Sequence, residues 1–340
     1  MTQPELGRGY IDYLEYSNNH LTIAGWMFVQ SNTFDMFRIK INNVAIADAT
    51  PVQRKDVQSA FPSMPNALRS GFSFHTPVKK ELFADWVTLE ITGVRSGIET
   101  GRIITIYHPE FHSSLPEPPA NLMHRVANVG NPVRYWCRAL HYYSEFLRAI
   151  KTYSDINSIS CMLDWGCGLV TSLFLKHTQI HEIHGCDIDK ETVEWCSEHL
   201  KPGQFLVINP FPPTDYTDNM FDVIISYPVF PHLQRDVQLS WVQEMNRILM
   251  PGGLLFASVY GDFAASFTPP HIQEEVKKNG ISDSSLDPNL DGIAPEGYYR
   301  GVYQTRDYTV RELGKYFRVV DYRERVMGNF QDLVILQKKR

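Results

Sequence analysis

At 340 residues the chain exceeds what a single hydrophobic core usually serves, so two domains are expected. Hydrophobic residues make up 43% and charged residues 21%, a globular balance that excludes wholesale disorder. With 32 Lys+Arg against 38 Asp+Glu, the formal charge of -6 argues against a nucleic-acid partner held by broad phosphate neutralisation.

The N-terminal MTQPELGRGYIDYLEY has neither a basic n-region nor an apolar h-region, so no secretory signal is expected. No run of about 18 apolar residues predicts a membrane span. The five cysteines, Cys137, Cys161, Cys167, Cys186 and Cys196, form no CxxC pair. Three of them sit in or beside apolar runs, which suits buried thiols of a reducing, cytoplasmic compartment and no disulfide framework.

Residues 1–110 alternate with a period of two. HLTIAGWMFV, FRIKINNVAIA, GFSFHTPV, WVTLEITGV and RIITIYH are short β-type runs separated by the turn signals NN, SN, PSMPN and SG. The spacing predicts an all-β sandwich or barrel. HPEFHSSLPEPPANLMHR, with four prolines, predicts an extended linker over 111–122 and a second domain over 123–340. YWCRALHYYSEFLRAIKTY has helical spacing.

From residue 158 strands and helices alternate. ISCMLDW, IHEIHGCDI, FLVINP, FDVIISYPVF and LLFASVYG read as strands. LVTSLFLKHT, ETVEWCSEHL and WVQEMNRILM read as helices, and PGG reads as a turn. This order predicts a mainly parallel sheet. YFRVVDYRERV and NFQDLVILQKK predict a closing antiparallel hairpin. Residues 262–305, polar and rich in Gly and Pro, read as a lid or substrate loop.

CMLDWGCGLV ends a buried strand in Asp164-Trp165-Gly166-Cys167-Gly168. The glycines permit positive φ and close approach of a ligand, and the next helix offers free N–H groups. Asp187 ends the second strand, where an acid accepts hydrogen bonds from both ribose hydroxyls of an adenosine-bearing cofactor. The glycine that a dinucleotide fingerprint requires is replaced by Thr171. Asp164 would repel a pyrophosphate but suits a cationic amine or sulfonium.

LDWGCG, GCDID, FDVIISYPVFPHL and EMNRILMPGGLLFASVYG, in this order, resemble the class I S-adenosylmethionine-dependent methyltransferases from about residue 122 onward. The resemblance implies an α/β, Rossmann-like seven-stranded sheet with an antiparallel last strand, and S-adenosyl-L-methionine as cofactor. It places Gly166, Cys167 and Gly168 behind the methionine and ribose, and Asp164 near the amino group. Asp187 falls on the ribose hydroxyls, Ile188 on the adenine, Asn209 at the adenine edge and Tyr227 beside the sulfonium. Val170 stands where the family usually has its third glycine.

An oxygen nucleophile also needs a base. His232, after the fourth strand, is the first candidate, because an imidazole titrates near neutral pH. His271 and Asp262 in the insertion are the others, and Tyr298, Tyr299 and Arg300 are candidates to line the acceptor. Asp189 reads as a helix cap followed by Glu191 and Glu194. His181 and His184 in HEIH lack the HExxH spacing and a third ligand, so no metal is expected. SYPVF is not the Asn-Pro-Pro-Tyr type tetrapeptide of amino-directed DNA methyltransferases. IAGWMFVQ, PVQRKDVQSAFP and SGFSFHTPV resemble a small β-sandwich module found beside enzymes of bacterial surface-glycan assembly, which implies a glycan acceptor. The expected activity is therefore O-methylation of a sugar hydroxyl. The alternatives are methylation of a small secondary metabolite and a non-catalytic binding module.

Overall fold

The computed structural model describes residues 5–29, 33–62, 64, 66–290 and 292–340. The first four residues of the N-terminal segment, the SN turn at 31–32, two positions of PSMPN (63 and 65) and position 291 of the insertion lie outside these. The chain divides into two compact units: residues up to Leu115 with Asn131–Glu145, and Pro116–Gly130 with Phe146–Arg340.

The first unit contains β1 (Glu5–Leu6), β2 (Arg8–Ser17), β3 (His20–Phe28), β4 (Met36–Ile41), β5 (Val44–Ala49), α1 (Lys55–Ala60), β6 (Gly71–Pro77), β7 (Val87–Arg95) and β8 (Ile98–Tyr107). They form a five-stranded sheet, β1-β8-β7-β4-β5, and a three-stranded sheet, β2-β3-β6. Three hairpins turn on two-residue loops with both φ positive: Asn18-Asn19 (50°, 58°), Asn42-Asn43 (48°, 67°) and Ser96-Gly97 (50°, 78°). Such turns match the right-handed strand twist, which is why NN and SG punctuate the sequence. Ser96 is held there by its N–H donating to Asp35 Oδ2 at 2.7 Å. Phe37 of the first sheet meets Phe72 of the second at 5.4 Å between ring centres.

After Tyr107 come turns to Ser114, extended chain over 115–119, α2 (Ala120–Ala127) and α3 (Pro132–Tyr153). The expected linker at 111–122 thus ends inside a helix. The residues of α3 are divided between the units at Glu145 and Phe146.

The second unit continues with β9 (Cys161–Trp165), α4 (Thr171–His177), β10 (Glu182–Asp187), α5 (Lys190–His199), β11 (Gln204–Val207), β12 (Phe221–Ser226), α6 (Arg235–Ile248) and β13 (Leu249–Val259). Then follow α7 (Asp262–Ala265), α8 (Pro270–Asn279), β14 (Ile281–Leu286), β15 (Arg300–Gln304), α9 (Arg306–Leu313), β16 (Phe317–Met327) and β17 (Gln331–Lys338). Seven strands form one sheet in the order β11-β10-β9-β12-β13-β17-β16. The pairs among β9 to β13 are parallel, and β17 is antiparallel to both its neighbours. β9 lies centrally and is buried along its whole length. Leu163, Ile224, Leu255 and Val334 of the sheet pack with Trp241, Val242, Met245 and Ile248 of α6. Each fully buried aliphatic side chain here contributes about 1.5–3 kcal/mol.

Two local expectations differ. PGG is not a turn between elements: Pro251-Gly252-Gly253 lies inside β13, where a register shift against β12 absorbs the extra residues. Gly252 takes φ 85° there. The insertion at 262–305 is not a bare loop either. It folds as α7, α8 and the antiparallel pair β14–β15. All five cysteines are free and buried. Among the described residues, no helix is long and apolar enough to cross a membrane.

Candidate functional site

The carboxyl ends of β9, β10 and β12 open onto a cleft of about 760 Å³ of empty space, part of it open to solvent. Its floor and walls include Trp165, Gly166, Asp187, Ile188, Tyr227 and His232. Arg125 of α2 and Tyr298 and Tyr299 of the insertion also reach it. The crevice at strand carboxyl ends is where open α/β sheets bind ligands.

The β9–α4 loop is shaped by backbone contacts. Gly166 N–H and Cys167 N–H both donate to the Cys186 carbonyl, at 2.9 and 3.2 Å. Gly166 has φ 87°, and a Cβ there would stand 2.6 Å from Val229 Cγ2. No other residue type fits that position without strain. Gly168, at φ 117°, donates its N–H to Thr171 Oγ1 at 3.2 Å, and the Thr171 hydroxyl donates to Asp164 Oδ2 at 2.5 Å. Val170, which replaces a family glycine, has φ -108°, open to any residue, and its side chain is buried.

Asp164 therefore faces into the loop and does not line the cleft; burial lifts its pKa to about 7, against the Thr171 hydrogen bond that lowers it. Cys167 and Gly168 also lie behind the lining. Asp187 does reach the cleft. Its Oδ1 accepts the Asp189 N–H at 2.8 Å, and burial pushes its pKa up to about 7. Asp189 caps α5, accepting from Glu191 N–H at 3.1 Å and from the Thr192 hydroxyl at 2.7 Å. Arg125 spans from α2 to Asp189 (3.2 Å) and to Glu191, and Asn121 Nδ2 donates to Glu191 Oε1 at 3.0 Å. Nothing in the local sequence MHRVAN marks Arg125; only the placement of α2 brings it to the cleft.

His232 closes a 3-10 turn, Phe230–His232, and is 7% exposed. Its Nδ1 lies 3.0 Å from the Arg300 carbonyl oxygen. A carbonyl oxygen only accepts, so in the neutral ring Nδ1 carries the proton and Nε2 keeps its lone pair. The ring stacks on Tyr299 at 4.1 Å, with planes 12° apart. Burial lowers its pKa to about 4, against the Arg300 hydrogen bond and Asp287, which raise it. The expected titration near neutral pH is thus corrected: the imidazole is desolvated and uncharged at pH 7.

Of the three base candidates only His232 is at the cleft. Asp262 begins α7, exposed, with Oδ2 accepting the Arg306 N–H at 3.3 Å, and His271 is exposed in the first turn of α8. The insertion's own helices carry both away from the lining. Asn209 is exposed and outside the lining as well. The segment beside it is fixed instead at Pro210, whose carbonyl accepts the Tyr298 hydroxyl at 2.5 Å and Trp241 Nε1–H at 3.1 Å. Arg300 spends its guanidinium on the carbonyls of Gly297 and Asp283.

Residues 163–257 match the family described as a methyltransferase domain. The match lies wholly within the second unit and supports methyltransferase activity for it. No curated protein matches the chain. Among solved structures, one similar chain is a methyltransferase from Methanosarcina mazei, at 20% identity and a TM-score of 0.43, over 56% of this chain and 97% of that one. Another is the 1,6-didemethyltoxoflavin-N1-methyltransferase of Burkholderia thailandensis, at 16% identity and TM-score 0.41, over 59% and 79%. A third is the N-methyltransferase NodS of Bradyrhizobium japonicum, at 14% and 0.42, over 66% and 100%.

The residues present fit S-adenosylmethionine, the cofactor that the sequence motifs imply. A half-buried carboxylate, Asp187, has no Lys or Arg at ion-pairing distance among the described residues, so it is available to hydroxyl donors. A backbone cradle at Gly166 leaves no room for a side chain. Ile188, Trp165 and Val229 add apolar wall beside them.

Proposed function

We propose that the domain O-methylates a hydroxyl group of a sugar or glycoconjugate, with His232 as general base. The observation that carries the base assignment is the buried His232 at the cleft, locked by the Arg300 carbonyl so that Nε2 holds the lone pair. When bound, S-adenosylmethionine supplies an electrophilic methyl group on a cationic sulfonium. Asp187 would accept the ribose hydroxyls, Ile188 would pack on the adenine, and Gly166 would let the backbone approach the ribose and methionine. Tyr227, which lines the cleft, would hold the sulfonium end, and Asp164 with Thr171 holds the loop's shape from behind. His232 Nε2 takes the acceptor's hydroxyl proton as the oxygen attacks, and Tyr299 fixes the ring by stacking. The insertion at 262–305 supplies one wall through Tyr298 and Tyr299 and serves as the lid that excludes water.

The sugar acceptor is supported by the likeness of the first unit's short runs to modules found beside glycan-assembly enzymes. That unit then acts as a β-sandwich accessory domain. Incubation with S-adenosylmethionine and parallel panels of nucleotide sugars, glycans and small phenolic or alcoholic metabolites tests the reading by mass spectrometry of the products. Methylated sugars are expected; methylation confined to the metabolite panel would replace the glycan acceptor, and methylation at nitrogen would remove the need for His232.

A further inference from the structure

At the opposite edge of the sheet, Glu182 and His184 stand two residues apart on β10, so their side chains leave the same face. Cys161, the first residue of β9, is the register partner of Glu182. One donor atom from each of Cys161, Glu182 and His184 lies within 4.8 Å of the other two. Glu182 and Asp187 are the first and last residues of β10, so Glu182 lies about 17 Å and His184 about 10 Å from the cleft edge at about 3.3 Å per residue.

Charge and spacing agree on a cation. Glu182 and Asp222 are the carboxylates whose charges bear on the Cys161 thiol. Among the described residues neither reaches ion-pairing distance of a Lys or Arg. Glu182 has only His181 and His184 within that distance, and Asp222 accepts the backbone N–H groups of Ser160 and Cys161. His184 Nε2 is 3.5 Å from Glu182 Oε2. That is long for a hydrogen bond to a carboxylate. It is close to the separation of about 3.3 Å that two ligands at about 2.0–2.1 Å keep on a tetrahedral ion.

We propose that Cys161, Glu182 and His184 bind one zinc-class divalent cation at the amino-terminal edge of the sheet, independently of methyl transfer. One sulfur, one nitrogen and one oxygen donor match zinc's ligand preferences, with water in the fourth position. On binding, the Cys161 S–H bond breaks, the proton passes to solvent, and the sulfur lone pair is donated to the ion. Affinity therefore rises with pH. The ion ties the starts of β9 and β10 together and stabilises the folded state.

Full-length protein stripped by a chelator is titrated with zinc chloride against a chromophoric competitor, and with cobalt(II) by absorbance. One equivalent is expected, with a thiolate-to-cobalt charge-transfer band and a rise in thermal midpoint. Cys161→Ser should abolish the band and weaken zinc by more than about 100-fold. His184→Gln should weaken it comparably, and Cys137→Ser should change nothing. Retained S-adenosylmethionine binding by the first two variants shows that they fold. Should they misfold, the wild-type protein still decides: zinc must slow alkylation of Cys161, read by peptide mass spectrometry. Absence of stoichiometric zinc, a band that survives Cys161→Ser in a folded variant, or alkylation unaffected by zinc would overturn the site.

Discussion

The two units differ in the acids they bury, although both carry matched pairs, such as Arg247 with Asp218 and Glu244 in the second. In the first, acids and bases are matched locally: Arg54 holds Asp12 at 2.8 Å and Asp56 at 2.6 Å, Lys40 holds Glu99 at 2.6 Å, and Arg38 pairs with Asp48 at 2.8 Å. In the second, Asp164, Asp187 and Asp332 are enclosed without a cationic partner at ion-pairing distance among the described residues, and burial raises them to about 7, 7 and 6. His232 is pulled down to about 4 by the same cause. Matched pairs fix a structure; of the unmatched groups, Asp187 and His232 line the cleft, where desolvation leaves them poised for a ligand or a proton. Tyr10 is the first unit's exception. Arg8 and Arg138 stand 5.1 and 4.7 Å from its ring centre and lower its pKa to about 8, against burial that raises it.

The sharpest test of this contrast is His232→Ala. Turnover should fall about 10²–10⁴-fold while S-adenosylmethionine affinity by calorimetry stays unchanged. Wild-type turnover should be flat from alkaline pH down to about 5 and fall only as pH approaches 4, because the neutral ring is the active form. A plateau edge near 6.5 would mean that His232 is solvated in the working enzyme.

Asp187→Ala comes next, with a loss of about 1.5–3 kcal/mol in cofactor binding, or roughly 10- to 150-fold. In the wild-type protein the ionised carboxylate is the better acceptor, so affinity should rise as pH passes through about 7, and Asp187→Asn should flatten that rise. Affinity independent of both pH and this residue would remove Asp187 from the site.

Gly166→Ala should weaken cofactor binding by about 1–3 kcal/mol, since an added Cβ meets Val229 at 2.6 Å in a left-handed conformation. For Thr171→Val, denaturant unfolding should show a loss of about 1–3 kcal/mol, with Asp164 stripped of its hydrogen-bond donor. The sign with pH follows from a raised folded pKa. The contribution of Asp164 is complete below the unfolded value near 4 and is lost as pH rises through about 7. The variant's deficit should therefore be larger at pH 8 than at pH 5. The smallest effect belongs to the first unit: Arg38→Ala removes a partly exposed pair and should cost less than about 1 kcal/mol, with turnover unaltered. A large loss of turnover there would erase the distinction between the units.

Much of the second unit was legible because its signals are local. CMLDW reads as a buried strand since each of its residues is enclosed. GCDID marks a strand end and a helix cap because Asp189 accepts from the backbone two residues on. The NN and SG turns of the first unit announce themselves through residues that tolerate positive φ. Other features depend on partners far along the chain. The insertion read as a loop because short helices and an irregular hairpin leave weak periodicity. Asp164 read as a cofactor contact because nothing local says which way its carboxylate points, and Thr171 claims it.

The sequence by itself determined the strand order's raw material, the glycine cradle, the acid at the end of β10 and the choice of cofactor class, since each rests on backbone conformation and residue type within a few positions. Only the tertiary structure decided which of His232, Asp262 and His271 stands at the cleft. It also brought Arg125 to Asp189 and Cys161 beside Glu182 and His184. Burial, and with it protonation, is a property of what packs around a group, and in a parallel sheet those neighbours come from distant segments of the chain.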